Sequence, residues 1–339
     1  MYNSLDIFSG CGGLTEGMHQ AGFFTKVAIE IAPVAVAAYK INHSKTIIIQ
    51  DDVRNVLSDD IKKALKGEQL HLLAGCPPCQ GFSSIRRLNR PNSIEDERND
   101  LVLEYLRLVK ELKPLTIMME NVPALLYYDK FQFVVNELTS LGYHPKVKIV
   151  NVKDYGVPQN RKRLVMVGSI WDGLDIAPSI NEKVTVRKTI ENLESTLLTK
   201  DPIHKIYPKH TPKIMEQIKL TPKDGGSRKD LPEKYQLACH KKDNVGFNDV
   251  YGRLRWDDYS TTITGGCLNP SKGRFLHPFE DRCITAREAA LLQSFPINYK
   301  FPENISSTAI ALLIGNALPP KFSYYQSLNI YNHIKDNIK

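Results

Sequence analysis

In the first half of the chain, short runs of β-branched and other apolar residues alternate with segments of helical spacing, the order that an open parallel sheet with crossover helices requires. Leu5-Asp6-Ile7-Phe8, Lys26-Val27-Ala28-Ile29, Thr46-Ile47-Ile48-Ile49, Leu70-His71-Leu72-Leu73-Ala74 and Leu115-Thr116-Ile117-Met118-Met119 read as strands, and Leu164-Val165-Met166-Val167-Gly168 closes the series. Helices are expected from Leu14 to Ala21, Pro33 to Asn42 and Leu101 to Leu112. The expected fold class is α/β, a doubly wound and mostly parallel sheet. After Trp171 the texture changes: residues 173–285 are rich in Lys, Pro, Gly and Tyr and lose the clean alternation. Helical patterning returns at Ala286 to Leu292 and again from Phe322 to Ile334. The pattern predicts a larger domain from 1–172 plus 305–339, and a smaller, loop-rich domain from 173–304.

Composition narrows the class. The 339 residues are 42% hydrophobic and 24% charged, with a mean hydropathy of −0.30, as in a soluble globular protein. No apolar run approaches the roughly 20 residues that span a bilayer. The first residues carry neither a basic head nor an apolar stretch, so a cytoplasmic protein with reduced thiols is expected. Net charge is +8. Residues 204–242 hold ten Lys and Arg against four Asp and Glu. Such a stretch is either a solvated surface or a place to neutralise phosphates.

Polar residues gather just after the strands: Gly10, Glu30, Asp52, Cys79 and Glu120. Ligands of open α/β sheets bind at the carboxyl ends of strands, so these endpoints predict one shared crevice. Phe8-Ser9-Gly10-Cys11-Gly12-Gly13 lies between a strand and a helix, where glycines let backbone approach a ligand. A dinucleotide fingerprint would need glycine at position 15, which is Thr15, so a pyrophosphate is disfavoured. Glu30, 20 residues beyond Gly10, can accept both hydroxyls of a ribose. Asp52 can accept from an adenine amino group. Together they suit a nucleoside cofactor without a pyrophosphate, and S-adenosylmethionine fits.

Gly75-Cys76-Pro77-Pro78-Cys79-Gln80-Gly81-Phe82-Ser83 is the most distinctive stretch. Two prolines fix the backbone before Cys79 and aim one thiol. Of the six cysteines, Cys76 and Cys79 are the one close pair. No second Cys or His pair at similar spacing accompanies them, so no metal site is expected. A lone cysteine is most often an inert core residue, but one after a strand and facing a crevice suits a nucleophile. Glu120, in Glu120-Asn121-Val122, either caps the helix after it or acts as an acid. Arg161 and Arg163, in Gln159-Asn160-Arg161-Lys162-Arg163, run into a buried strand. Arg163 suits a carbonyl oxygen of the substrate, and Arg161 suits Glu120 or a phosphate.

Six ordered blocks make the chain resemble the DNA (cytosine-5) methyltransferases over nearly its whole length. They are Asp6 to Gly13, Pro77 to Gln80, Glu120 to Val122, Gln159 to Arg163, Arg287 to Pro296 and Ile314 to Pro320. The resemblance implies the S-adenosylmethionine-dependent methyltransferase fold and a bacterial or phage restriction-modification enzyme. It implies that Phe8, Gly10, Cys11, Gly12, Gly13, Glu30, Ile31, Asp52, Val53, Pro78, Leu101, Asn316 and Ala317 line the cofactor. It also implies that Cys79 attacks carbon 6 of a flipped-out cytosine while Glu120 serves ring nitrogen 3 and Arg163 contacts the base. The smaller domain would then recognise the target sequence.

The partners expected from this are double-stranded DNA and a restriction endonuclease of the same system, with the chain acting as a monomer. Gln80, Ser83, Arg86, Arg87 and Arg90 would hold DNA beside the flipped base. Arg253 and Arg255, in Tyr251-Gly252-Arg253-Leu254-Arg255-Trp256, would read guanines in the major groove; the alternative is a strand packed on its own domain. Thr261 to Gly266 forms a compact loop suited to the same groove. A tRNA cytosine-5 methyltransferase of the same fold and a catalytically dead DNA-binding subunit are the rival readings. Intact Cys79, Glu120 and cofactor glycines argue against the second.

Overall fold

The computed structural model describes residues 1–78, 100–235 and 249–338. Its strands are β1 (Tyr2–Ile7), β2 (Phe23–Ile29), β3 (Ile47–Ile49), β4 (Leu72–Gly75), β5 (Thr116–Asn121), β6 (Lys146–Asn151) and β7 (Lys162–Ser169). They form one sheet in the order β3-β2-β1-β4-β5-β7-β6. The first five run parallel, whereas β7 is antiparallel to both β5 and β6. The order turns outward in opposite directions from β1 and β4, the switch point at which such sheets bind ligands. The described helices are α1 (Gly13–Gln20), α2 (Pro33–Asn42), α3 (Ser58–Leu65), α4 (Leu101–Leu112), α5 (Asp129–Ser140), α6 (Val186–Ile190), α7 (Pro212–Leu220), α8 (Ala286–Leu292), α9 (Ser307–Asn316) and α10 (Pro320–Asn337).

The two faces of the sheet differ in chemistry. Leu5, Ile7, Val27, Ile29, Leu73 and Met119 pack with Ile61 of α3, Tyr105 and Val109 of α4 and Phe131 of α5 in a continuous apolar core. Helix α4 follows directly from its sequence, since Leu101, Val102, Tyr105, Leu106, Leu108 and Val109 share one buried stripe. The opposite face carries Ser4, Asp6 and Thr25, all fully buried. Helices α1 and α10 meet closely enough that a Cβ on Gly17 would stand 2.4 Å from the Ser323 Cβ. The Ser323 hydroxyl donates to the Leu14 carbonyl at 2.7 Å.

The sequence pattern missed β6. In Lys146-Val147-Lys148-Ile149-Val150-Asn151, Lys146, Lys148 and Ile149 are exposed. An edge strand needs no apolar face on both sides, and lysines guard it against pairing with other chains.

The chain divides into two compact units, Met1–Tyr155 with Lys162–Asn181 and Ala317–Lys339, and Gly156–Arg161 with Glu182–Asn316. These bounds differ from the expected 1–172, 173–304 and 305–339. Residues past 172 stay with the sheet because Tyr155 Oη donates to the Ala177 carbonyl at 2.9 Å and Ile180 N donates to the Asp154 carbonyl. Helix α9 goes with the second unit because a Cβ on Gly315 would stand 2.1 Å from the Thr264 carbonyl carbon.

Among its described residues the second unit has short helices and many loops, whose carbonyls have no sheet there to pair with. Buried guanidinium groups serve instead, since an arginine offers five donors in a rigid fork. Arg282 bonds Glu280 and Glu288, and Arg287 bonds Asp201 and the Tyr299 carbonyl. Thr285 and Glu288 close a capping box on α8.

Arg253 corrects an expectation. It is 0% exposed and gives its donors to the carbonyls of Ile218, Thr221, His277 and Glu280 and to the Asp281 carboxylate at 2.6 Å. A guanidinium so enclosed cannot reach a base edge, and the alternative reading of a segment packed on its own domain holds for this residue.

Candidate active site

The turn after β1 is built on backbone conformations that favour glycine. Phe8, Gly10 and Gly12 have φ of 60°, 55° and 94°. Ser9 N bonds the Ile29 carbonyl at 3.0 Å and Gly12 N bonds the Ser9 carbonyl at 2.9 Å. Gly13 then opens α1. A Cβ on Gly10 would meet nothing within 4 Å, so there is open space beside the turn. Cys11 is buried, and burial pushes its thiol up to about 12. At neutral pH it is a packed apolar group.

Glu30, at the end of β2, ties this turn down. One carboxylate oxygen accepts from Gly10 N at 2.8 Å and the other from Ala32 N at 2.8 Å. Each oxygen keeps a lone pair for a hydroxyl. Ile31 follows with 59% exposure, an apolar side chain left uncovered at a strand end.

Asp52 caps the short turn Val53–Asn55, and Val53 is buried beneath it. Arg54 grips both Asp52 oxygens, at 3.0 Å through Nε and 2.6 Å through a terminal nitrogen. That grip holds the Asp52 carboxyl below its usual range. Arg107 of α4 fixes the same turn by donating to the Val53 and Val56 carbonyls. Its role was not foreseen, because nothing in a helical Arg announces a distant carbonyl.

The ends of β4 and β5 lie side by side, with Gly75 paired to Met119. Gly75 must be glycine, since a Cβ would stand 2.5 Å from Ile7. Asn121 donates to the Pro77 carbonyl at 2.9 Å, so the end of β5 holds the segment that leads to Pro78. Leu101 begins α4, and Tyr105 Oη bridges the carbonyls of Met118 and Leu73.

Glu120 is 7% exposed. Because β7 runs antiparallel to β5, its first residues lie beside the last residues of β5, and Glu120 pairs with Val165. Arg163 shares a face with Val165 two positions on, and its Nε stands 2.8 Å from Glu120 Oε1. The N–H is not aligned on that oxygen, which accepts no hydrogen bond among the described residues. A carboxylate is thus held by charge and left with an open acceptor. The structure gives Arg163 the partner that the sequence reading assigned to Arg161.

Arg161 belongs to the second unit. It is buried and donates to the carbonyls of Ile263 and Gly315 at 2.8 and 3.1 Å. Gln159 accepts from Ile263 N and donates to Gln293. Together they hold the loop of Thr261 to Gly266. Asn316 ends α9 and is exposed, and Ala317 starts the return to the first unit. Arg255 is exposed. Cys79, Gln80, Ser83, Arg86, Arg87 and Arg90 lie outside the described residues.

The model of the family described as C-5 cytosine-specific DNA methylase matches residues 2–331. The type II methylase M.HgiDII of Herpetosiphon aurantiacus is 34% identical over 93% of this chain and 91% of its own. The type II methyltransferase M1.HphI of Haemophilus parahaemolyticus is 30% identical over 93% of this chain and 83% of its own. Among solved structures, one described as a DNA modification methyltransferase encoded within an E. coli prophage superposes with a TM-score of 0.71 at 26% identity. It covers 99% of this chain and 100% of its own.

Proposed function

As the chain belongs to the C-5 cytosine-specific DNA methylase family and is a DNA (cytosine-5) methyltransferase, we propose that it works through a covalent Cys79 adduct with a flipped-out cytosine and takes its methyl group from S-adenosylmethionine. The observation that carries this reading is the Glu120–Arg163 pair, set where β5 also holds the Pro77 carbonyl.

S-adenosylmethionine would supply an electrophilic methyl group on a sulfonium. The residues fit it: open space beside Gly10, free lone pairs on Glu30, an exposed Ile31 for an adenine face and the Asp52 turn beyond. Carbon 5 of cytosine is a weak nucleophile. Attack of the Cys79 thiolate on carbon 6 forms a carbon–sulfur bond and drives electron density onto carbon 5 and ring nitrogen 3. Glu120 meets that charge by giving or sharing a proton at nitrogen 3. Arg163 keeps the carboxyl in place and faces the base's carbonyl oxygen. After methylation, loss of the carbon 5 proton expels the thiolate and restores the ring. Extruding the base costs a few kcal/mol, which contacts to the DNA backbone offset.

The test uses duplex DNA carrying 5-fluorocytosine at the target. Fluorine cannot leave as a proton does, so the expected result is a denaturant-stable protein–DNA adduct that requires S-adenosylmethionine and disappears in Cys79→Ala. Turnover by Cys79→Ala, or methylation of tRNA and no DNA, would overturn the reading.

A further inference from the structure

We propose that Arg255 reads a guanine in the target DNA and that Gly225 is the residue that positions it. The inference rests on DNA being the substrate.

Arg255 is exposed, and no hydrogen bond or ion pair engages it among the described residues. Its neighbours in the second unit are all committed. Arg187 bonds Asp257 and Glu191, Arg274 bonds Asp249, and Arg253 is enclosed. Its stem nonetheless has a bed. A Cβ on Gly225 would stand 2.5 Å from Arg255 Nε and 2.6 Å from Cγ. The side chain therefore lies across the glycine in space that no other residue type leaves open.

The bed is rigid. Asp224 and Gly225 take φ of 53° and 109°, and several polar groups of that turn are tied down. Asp224 N donates to the Pro278 carbonyl, and its carboxylate accepts from Trp256 N at 2.7 Å. Arg274 donates to the carbonyls of Gly225 and Gly226 at 2.8 and 3.2 Å and to that of Arg253 at 2.8 Å. Arg253 N donates to the Gly226 carbonyl at 2.9 Å, while the Arg253 side chain anchors the residues before the turn. Two internal arginines thus hold the platform on which a third is laid out. A guanidinium bonds O6 and N7 of guanine in one plane, and a preset stem lowers the ordering cost of that contact.

The experiment methylates a duplex library of randomised sequence with purified protein and S-adenosylmethionine, then reads 5-methylcytosine by sequencing. The wild type should show a motif containing a guanine. Arg255→Ala, which changes an exposed side chain, should cut preference at one guanine by about 5- to 100-fold and leave the other positions intact. Gly225→Ala should relax the same position, and the double variant should lose no more than Arg255→Ala alone. Full discrimination by Arg255→Ala overturns the assignment. Relaxation at every position in Gly225→Ala, or multiplied losses in the double variant, overturns the positioning role. A wild type that methylates no duplex would instead refute the substrate reading beneath it.

Discussion

Glu120 and Arg253 show how much one charged side chain can mean, and how differently. Glu120 keeps an oxygen open beside Arg163. Glu120→Gln preserves size and removes the proton, so methyl transfer in a single turnover should fall by about 10²–10⁴. Binding of S-adenosylhomocysteine by calorimetry should be unchanged, and a collapse there would move Glu120 into the cofactor pocket. Arg253 has no open donor of that kind. Arg253→Ala strands four carbonyls and leaves Asp281 without its buried partner, a loss of about 3–5 kcal/mol. Thermal denaturation should show it as a large drop in Tm, and a variant as stable as the parent would refute that role. The sequence could not separate these cases. Arg253 and Arg255 stand two positions apart, where strand alternation would put both on one face, yet the segment makes only an isolated bridge at Arg253 and buries that residue alone of the two.

At the scale of elements, strand ends were legible and loop cores were not. The runs that predicted β1, β2, β4 and β5 are buried on both faces, so continuous apolar sequence sufficed. Helices α2, α4 and α8 have the expected bounds. Helices α3, α5, α6, α7 and α9 drew no expectation, and α3, α5 and α7 owe their helicity to one apolar stripe each in a polar background. Gly10, Glu30 and Asp52 do follow the adjacent strands β1, β2 and β3, and Glu120 lies at the end of β5 in the same sheet. What holds them, Arg107 on the Val53 turn and Asn121 on Pro77, acts across 54 and 44 residues, beyond any local pattern. Helix α9 gives an element-scale test. Its Gly315 touches the backbone of Thr264 and Gly265. Backbone cannot swing aside, so Gly315→Ala should cost about 1–3 kcal/mol, read by chemical denaturation. An unchanged midpoint would mean that the loop is not pressed against α9.

At the scale of the whole molecule, buried groups among the described residues titrate in opposing senses. Burial, with the Glu30 charge adding to it, pushes the Asp6 carboxyl up to about 7. Its pKa is raised on folding, so the folded first unit holds a proton that the unfolded chain releases near pH 4. Its stability contribution is greatest in acid and is lost as pH rises from about 4 through about 7. Burial pushes His277 down to about 4, and its Nδ1 accepts from the amides of Phe279 and Glu280. Here the contribution is present above pH 6.5 and is lost as pH falls toward 4. Burial also pushes His43 of the first unit down to about 3, so acid weighs on both units through their histidines and the Asp6 carboxyl opposes it in the first. Asp6→Asn, neutral at every pH, removes that opposition, and the melting temperature of the variant should fall more steeply than the parent's as pH drops from about 7.5 to about 5. Equal slopes in calorimetry would count against the raised Asp6 carboxyl. The contact of Gly17 with Ser323 adds a temporal consequence. Helix α1 leaves the ribosome before α10, with the entire second unit translated between them. The polar face of the sheet thus stays without α10 until the second unit has been made. The apolar side of α1 is open to chaperones throughout that interval.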